Sequence, residues 1–337
     1  MEIQWPIREP STRMRYVQAR GDMLRAEKSR RRPHPPLLRC SKLCQCIKLI
    51  PLPTAASRPM PRMSADSTIE DFAVRFTDVR LSYDGRAVLS DIDLVVPRGS
   101  ITAVLGPSGS GKSTLLAALT GELVPAAGTV QVFGKPVPQR QRDLLEMRKG
   151  LGVLLQGNGL LTDLTAGENI ALPLRTHTRL PAPLIDRLVE MKLNAVGLRA
   201  VIDAFPRELS GGQARRVALA RALALDPPLM IYDEPLSGLD PIAAAVIMSL
   251  ISGLNHSLGL TSIIVSHHVR ETLPICDRAV VIANGSIVFS GAPAELEAST
   301  DPLVRQFLDG KPDGPIAFDT ASRATFSRAR VSGRQAA

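Results

Sequence analysis

Two separated stretches carry residues whose types and spacing can act on a phosphate ester. Gly106 to Thr114 reads GPSGSGKST, a glycine, four residues, then Gly-Lys-Ser. Gly106, Gly109 and Gly111 permit tight turns and leave room for a phosphate beside bare N–H groups, with Pro107, Ser108 and Ser110 completing the loop. Lys112 supplies a cation for the β- and γ-phosphates. Ser113 offers a hydroxyl to Mg²⁺ and Thr114 one to a phosphate oxygen. Much further along, Asp233 and Glu234 follow the apolar run LMIY. Asp233 suits Mg²⁺, and Glu234 is placed to orient and polarise an attacking water. The combined pattern predicts a nucleoside triphosphate with Mg²⁺.

Such residues need elements that bring them together. Ile101 to Leu105 (ITAVL) reads as a buried strand entering the glycine loop, and LLAALT as a helix leaving it, whose N-terminal N–H groups and dipole favour an anion. Upstream, VRFTDVRLSY and Val88 to Val96 read as strands around a turn at Tyr83-Asp84-Gly85, and another strand starts at Gly128. Leu151 to Leu155 is a buried strand leading to Gln156. From about 157 to 209, helix-like segments are interrupted by Pro173, Pro181, Pro183 and Pro206, which predicts a helical insert. Ser210 caps a helix expected to run through Leu225. Then come strand Leu229 to Tyr232, a helix from Pro241, strand Thr261 to Val265, and strands Arg278 to Ala283 and Ser286 to Phe289. Alternation of this kind predicts a mainly parallel sheet wrapped by helices.

Composition narrows the reading. The net charge of +9 sits almost wholly in residues 1–62, which hold 14 Lys and Arg against 4 Asp and Glu. The remainder, with 27 basic and 28 acidic residues, is close to neutral, which argues against a nucleic-acid partner. The Arg- and Pro-rich leader has three readings: a basic tail, a targeting peptide, or upstream sequence that is not translated, Met63 then being the start. The third is preferred here. Cys40, Cys44 and Cys46 resemble a partial metal site without a convincing fourth ligand, and Cys276 stands alone, so no disulfide is expected. No run of 18 consecutive apolar residues predicts a membrane span, and the N-terminus does not read as a secretory signal.

Four further stretches align with the glycine loop: Gln156, LSGGQ at Leu209 to Gln213, SGLD at Ser237 to Asp240, and His267 after a core strand. Jointly, over about Phe72 to Ala298, they resemble the nucleotide-binding subunit of ATP-binding cassette (ABC) transporters. The resemblance implies an α/β P-loop NTPase fold: an ABC cassette with a mainly parallel core sheet, an antiparallel β subdomain and a helical subdomain over about 157–225, the whole ATPase domain spanning 72–300. It implies that Tyr83 stacks on adenine, that Gln156 senses Mg²⁺ and the attacking water, and that His267 hydrogen-bonds the γ-phosphate. Asp240 would contact a partner protomer. Ser210, Gly211, Gly212 and Gln213 open a helix and so offer a second anion-binding N-terminus. In the family that end meets the γ-phosphate of the opposite subunit, implying an ATP-closed homodimer. Two positions depart from the family pattern: His268 stands where Asp is usual, and Ser266 where Thr is commoner. Either histidine can serve as the switch, and His267 is the one in register.

A closer resemblance lies outside these motifs. ENIALPLRTHTRLPAPL, MKLNAVGLR and DPLVRQFLDGKPDGPIAF are similar to the ATPase of Mla-type, MCE-associated phospholipid transport systems. That implies ATP hydrolysis powering phospholipid movement between the inner and outer membranes, from the cytoplasmic face of the bacterial inner membrane. Implied partners are an integral membrane permease, an MCE-domain lipid-binding protein and a STAS-domain regulator. The tail, residues 301–337, would reach across and support the dimer. The alternatives are an importer ATPase for amino acids or another small solute, and a soluble ABC ATPase in nucleic-acid work. The latter lacks the coiled-coil insert, zinc hook or second cassette it needs.

Overall fold

The structure is a computed structural model describing residues 72–316. The basic leader, its three cysteines and the tail beyond Ile316 lie outside the described residues.

A first sheet has the order β2-β1-β4-β5, all neighbours antiparallel. It contains β1 (Phe72–Tyr83), β2 (Arg86–Pro97), β4 (Ala127–Val132) and the short β5 (Lys135–Pro136). Asp84 and Gly85 between β1 and β2 both have positive φ, the two-residue hairpin geometry that matches strand twist. The apolar positions of β1 and β2 pack against β3 (Ile101–Leu105) and α1 (Lys112–Leu119) in one core that includes Val79, Leu81, Leu89, Val104 and Leu115.

The second sheet positions the chemistry. Its order is β10-β9-β3-β8-β7-β6, with β6 (Leu151–Leu154), β7 (Leu229–Asp233), β8 (Thr261–Ser266), β9 (Arg278–Ala283) and β10 (Ser286–Gly291). All pairs are parallel except the edge pair β9–β10. The central strands are buried on both faces, which is why they read as unbroken apolar runs. Register sets the geometry. Leu105 pairs with Ser266, Val265 with Asp233, and Tyr232 with Leu154. Four strands therefore end level, at one carboxyl edge, and the segments starting at Gly106, Gln156, Glu234 and His267 all leave from it.

Helices α3 (Ala166–His177) and α4 (Ala182–Ala195) pack with α5 (Gly211–Ala222) around Ile170, Leu174, Ile185, Leu193 and Val217. A capping box at Thr165 and Glu168 starts α3. Helix α5 stops at Ala222, three residues short of the expected Leu225: Asp226 takes φ 50 and Pro227-Pro228 follow, so the chain turns into β7. Helix α2 (Gln141–Lys149) lies in a stretch for which no element was expected; Leu144 is its buried residue. The 18-residue α6 (Pro241–Leu258) has a mean hydropathy of 1.4, enough by length and composition to cross a membrane. Ala244, Ile247, Met248, Ile251 and Leu254 on one of its faces are instead buried in the core, the spacing of an amphipathic core helix. After β8 come α7 (Val269–Thr272), α8 (Pro293–Glu297) and α9 (Pro302–Asp309). Within α9, Gln306 is buried and fixes the chain's return after the helix: its Oε1 accepts the Ile316 N–H (2.7 Å) and its Nε2 donates to the Ile316 carbonyl (3.2 Å).

Candidate functional site

The glycine loop runs from the end of β3 into α1. Gly106, Gly109 and Gly111 have φ of 152°, 76° and 107°. A Cβ on Gly106 would collide with the Ile282 carbonyl oxygen, and one on Gly111 would lie 2.6 Å from Leu89 Cδ2. Backbone angle and space both demand glycine there. Gly111 is the N-cap of α1 and brings no side-chain cap. The Lys112 ammonium, 7% exposed, donates to the carbonyls of Gly106 (2.7 Å) and Pro107 (3.0 Å). Burial draws its pKa below the usual lysine range, opposed by the negative fields of Glu234 and Asp233. Ser110 Oγ is buried with no hydrogen-bond partner, an orphan that a phosphate oxygen would satisfy. Thr114 is buried, while Ser108, Gly109 and Ser113 are exposed and Pro107 is half-buried.

Burial raises the Asp233 pKa above the ordinary carboxylate value; Glu234 adds to the shift and Lys112 opposes it. Glu234, 8% exposed, has a φ of 47°, left-handed backbone that a glutamate adopts only under constraint. Its N–H donates to the Val265 carbonyl (2.9 Å) and its carbonyl accepts from Ser237 (3.2 Å). This turn faces the carboxylate to the neighbouring strand end, where Oε2 lies 2.9 Å from His267 Nδ1. The proposed base and the proposed switch histidine are thus joined directly. Tyr83 is 48% exposed at the end of β1, consistent with a ring open to stacking.

Ser210, Gly211, Gly212 and Gln213 form the first turn of α5. Ser210 Oγ accepts the Gln213 N–H (3.2 Å) and Gln213 Oε1 accepts the Ser210 N–H (2.9 Å), a reciprocal capping box. This end faces the SGLD loop across a groove of about 250 Å³. Asp240, expected to contact a partner, caps α6 in this chain: its Oδ1 accepts from Ile242 (2.9 Å) and Ala243 (3.0 Å).

The sequence reading missed the residues that tie these parts together. Arg215, 3% exposed, donates through Nη1 to the carbonyls of Leu155 (3.2 Å) and Gln156 (2.9 Å), and through Nη2 to that of Ser237 (2.8 Å). One guanidinium therefore links the Gln156 loop, the LSGGQ helix and the SGLD loop, although the Gln156 side chain itself is exposed. Burial lowers the pKa of Arg215, and likewise that of Arg221, whose Nη1 and Nη2 donate to Gly159 (2.6 Å) and Asn158 (3.1 Å). Asn169, fully buried, bonds the Leu161 N–H (2.9 Å) and carbonyl (3.1 Å) and the Leu164 carbonyl (3.1 Å). The signal was present: Arg215 stands four residues before buried Leu219, on the apolar side of its helix.

Comparison with known proteins agrees with this geometry. Residues 89–237 match the family described as ABC transporter. The chain is 48% identical over 246 residues to the intermembrane phospholipid transport system ATP-binding protein MlaF of Escherichia coli (strain K12), covering 73% of this chain and 91% of that protein. It is 48% identical over 234 residues to MlaF of Haemophilus influenzae, covering 69% and 89%. Among solved structures it resembles a dimeric post-hydrolysis state of the ATP-binding cassette MJ0796 bound to ADP and Pi, with a TM-score of 0.61, 29% identity, and 65% and 98% of the two chains covered. The chain belongs to the ATP-binding proteins of ABC transporters, in their Mla-type branch.

Proposed function

We propose that this chain is the ATP-hydrolysing subunit of an ABC transporter that powers phospholipid transport between the inner and outer membranes. The observation that carries the hydrolytic part is the shared carboxyl edge, where the Lys112 loop, Asp233, Glu234 and His267 leave strands of level register. The lipid assignment rests on 48% identity across 91% of a phospholipid-transport ATPase.

The residues present suit ATP and Mg²⁺. The loop N–H groups, Lys112 and the orphan Ser110 hydroxyl suit phosphate oxygens. Ser113, Asp233 and Gln156 form an all-oxygen donor set of the kind Mg²⁺ prefers, and the bound ion would neutralise charge on the β- and γ-phosphates. Tyr83 stacks on the adenine. Glu234 orients the attacking water and takes its proton, held toward the γ-phosphate position by His267, which hydrogen-bonds that phosphate. Ser210, Gly211, Gly212 and Gln213 close on the nucleotide of a second copy, and Asp240 lies at that junction. ATP therefore holds a homodimer shut and hydrolysis releases it.

The subunit sits peripherally on the cytoplasmic face of the inner membrane against a permease, with an MCE-domain lipid-binding protein and a STAS-domain regulator completing the assembly. The ATPase domain is assigned to residues 72–300, with its helical part over about 157–225. Affinity purification of the tagged chain from native membranes tests the lipid reading. Co-purification of a permease with an MCE-domain protein supports it, and a solute-importer permease in their place overturns it.

A further inference from the structure

The Glu234 carboxylate has two imidazoles beside it. Its Oε2 is 2.9 Å from His267 Nδ1 and 4.0 Å from His268 Nδ1. The two rings lie 4.1 Å apart between centroids, tilted by 38°. Ligand-capable atoms of Glu234, His267 and His268 all fall within 4.8 Å of one another. His268 is itself well located. Its N–H donates to Ser266 Oγ (3.0 Å), its Nδ1 is 3.5 Å from that hydroxyl, and its carbonyl accepts from Thr272 Oγ1 (2.6 Å). The histidine side chains are 48% and 33% exposed while that of Glu234 is 11% exposed, so the carboxylate is buried beside two more accessible imidazoles.

Two imidazole nitrogens and one carboxylate oxygen make a poor Mg²⁺ site, because Mg²⁺ demands octahedral oxygen ligands. They make a good site for a borderline divalent ion such as Zn²⁺, which takes His₂Glu with a fourth position open. Bonds of ~2.0–2.1 Å in a tetrahedron place ligand atoms about 3.3 Å apart. The carboxylate–imidazole separations of 2.9 and 4.0 Å lie on either side of that value and all three ligand atoms fall within 4.8 Å, so side-chain rotation, without backbone movement, is what closing the tetrahedron asks for. The second nitrogen comes from His268, one of the two positions at which this chain departs from the family pattern.

We propose that, without nucleotide, Glu234, His267 and His268 bind a Zn²⁺-class ion that reversibly arrests ATP hydrolysis. The bound ion occupies the Oε2 lone pair that must face the attacking water, and it holds His267 away from the γ-phosphate. The binding claim stands on geometry alone; the arrest rests on Glu234 acting as the base. Nothing covalent is made or broken, so a chelator restores turnover.

The test uses the full chain without nucleotide, titrated with Zn²⁺ by calorimetry and with Co²⁺ by visible absorption. In parallel, the chain is equilibrated without nucleotide at buffered free Zn²⁺ and the initial ATPase rate is read on adding Mg-ATP. Wild type is compared with His268→Asn, which removes the ligand nitrogen and keeps a polar side chain, and with His268→Cys, which restores a zinc ligand. Comparison among the three isolates this site from the leader cysteines. The expected result is one ion lost in His268→Asn with at least ~10-fold weaker affinity, an inhibition midpoint raised by the same factor, recovery of both in His268→Cys, and reversal by EDTA. Equal binding by wild type and His268→Asn overturns the site. Binding that differs between them with undiminished turnover overturns the arrest. If the wild type hydrolyses no ATP at all, the titrations still decide the site, and the failure belongs to the hydrolytic reading instead.

Discussion

Two helix N-termini in this chain carry glycines for different reasons. Helix α1 begins behind glycines that the fold itself requires: Gly106 and Gly111 combine positive φ with no room for a Cβ. Helix α5 begins behind Ser210, whose hydroxyl and Gln213 partner form a capping box, with no left-handed residue in the turn. A Cβ on Gly211 would sit 3.9 Å from its nearest neighbour, Leu239, and one on Gly212 would sit 3.4 Å from Ala243 Cβ, ordinary packing distances. The folded chain explains the first set of glycines and gives no reason for the second. Their reason lies in whatever approaches that end from outside, which in the proposed function is the γ-phosphate held by a second copy.

Substitutions break this comparison in graded steps. Gly106→Ala has the largest expected effect. Strained backbone plus a collision with the Ile282 carbonyl should cost about 3 kcal/mol or more, read as a lower thermal midpoint with loss of nucleotide binding. An unchanged midpoint would contradict the steric account. Glu234→Gln should leave the midpoint and ATP binding intact and cut turnover at least ~10²-fold; retained turnover removes Glu234 from its role. Gly212→Ala should keep or raise the midpoint, because alanine favours a helix by up to about 1 kcal/mol, yet lower ATPase activity by roughly 10-fold or more. If its activity survives, the second set of glycines has no functional reason either.

Arg215→Ala should give a smaller, mixed result. It strands the carbonyls of Leu155, Gln156 and Ser237, costing about 1–3 kcal/mol of stability, and lowers kcat roughly 2- to 30-fold with KM for ATP little changed. A change in KM alone would place Arg215 in binding. The smallest effect is in pH dependence. In the proposed function Asp233 holds Mg²⁺ as the carboxylate and its pKa is raised, so acid loss of Mg-nucleotide affinity should begin at higher pH than for an ordinary aspartate. Lys112 must be charged and its pKa is lowered, so the alkaline loss should begin below the ordinary lysine value. Affinity titrations against pH read both limbs.

The parallel sheet was legible because its strands are short apolar runs ending in chemically distinctive residues, and register then brought those ends level. The start of α5 was legible from Ser210 and Gln213, but its end was not, since Leu223-Ala224-Leu225 continues the apolar pattern while the backbone obeys Asp226 and two prolines. Helix α2 is short and strongly polar, with Leu144 as its buried residue, so little apolar sequence announced it. The burial of Arg215 could be read from its helix face, but its grip could not: its partners are carbonyl oxygens, which every residue has and no residue type announces. The left-handed turn at Glu234 was equally silent in the residue letters.

That choice of partners reaches further. The stretch from Leu155 to Leu164 is held by Arg215, Arg221 and Asn169 through main-chain groups at Leu155, Gln156, Asn158, Gly159, Leu161 and Leu164. Leu155 and Leu161 meanwhile project outward, 49% and 47% exposed. An anchorage that ignores side-chain identity lets the outward face drift through sequence space while its path over the protein stays fixed. Substitutions can accumulate on that face under selection from whatever it touches, without first destabilising the catalytic edge beneath it.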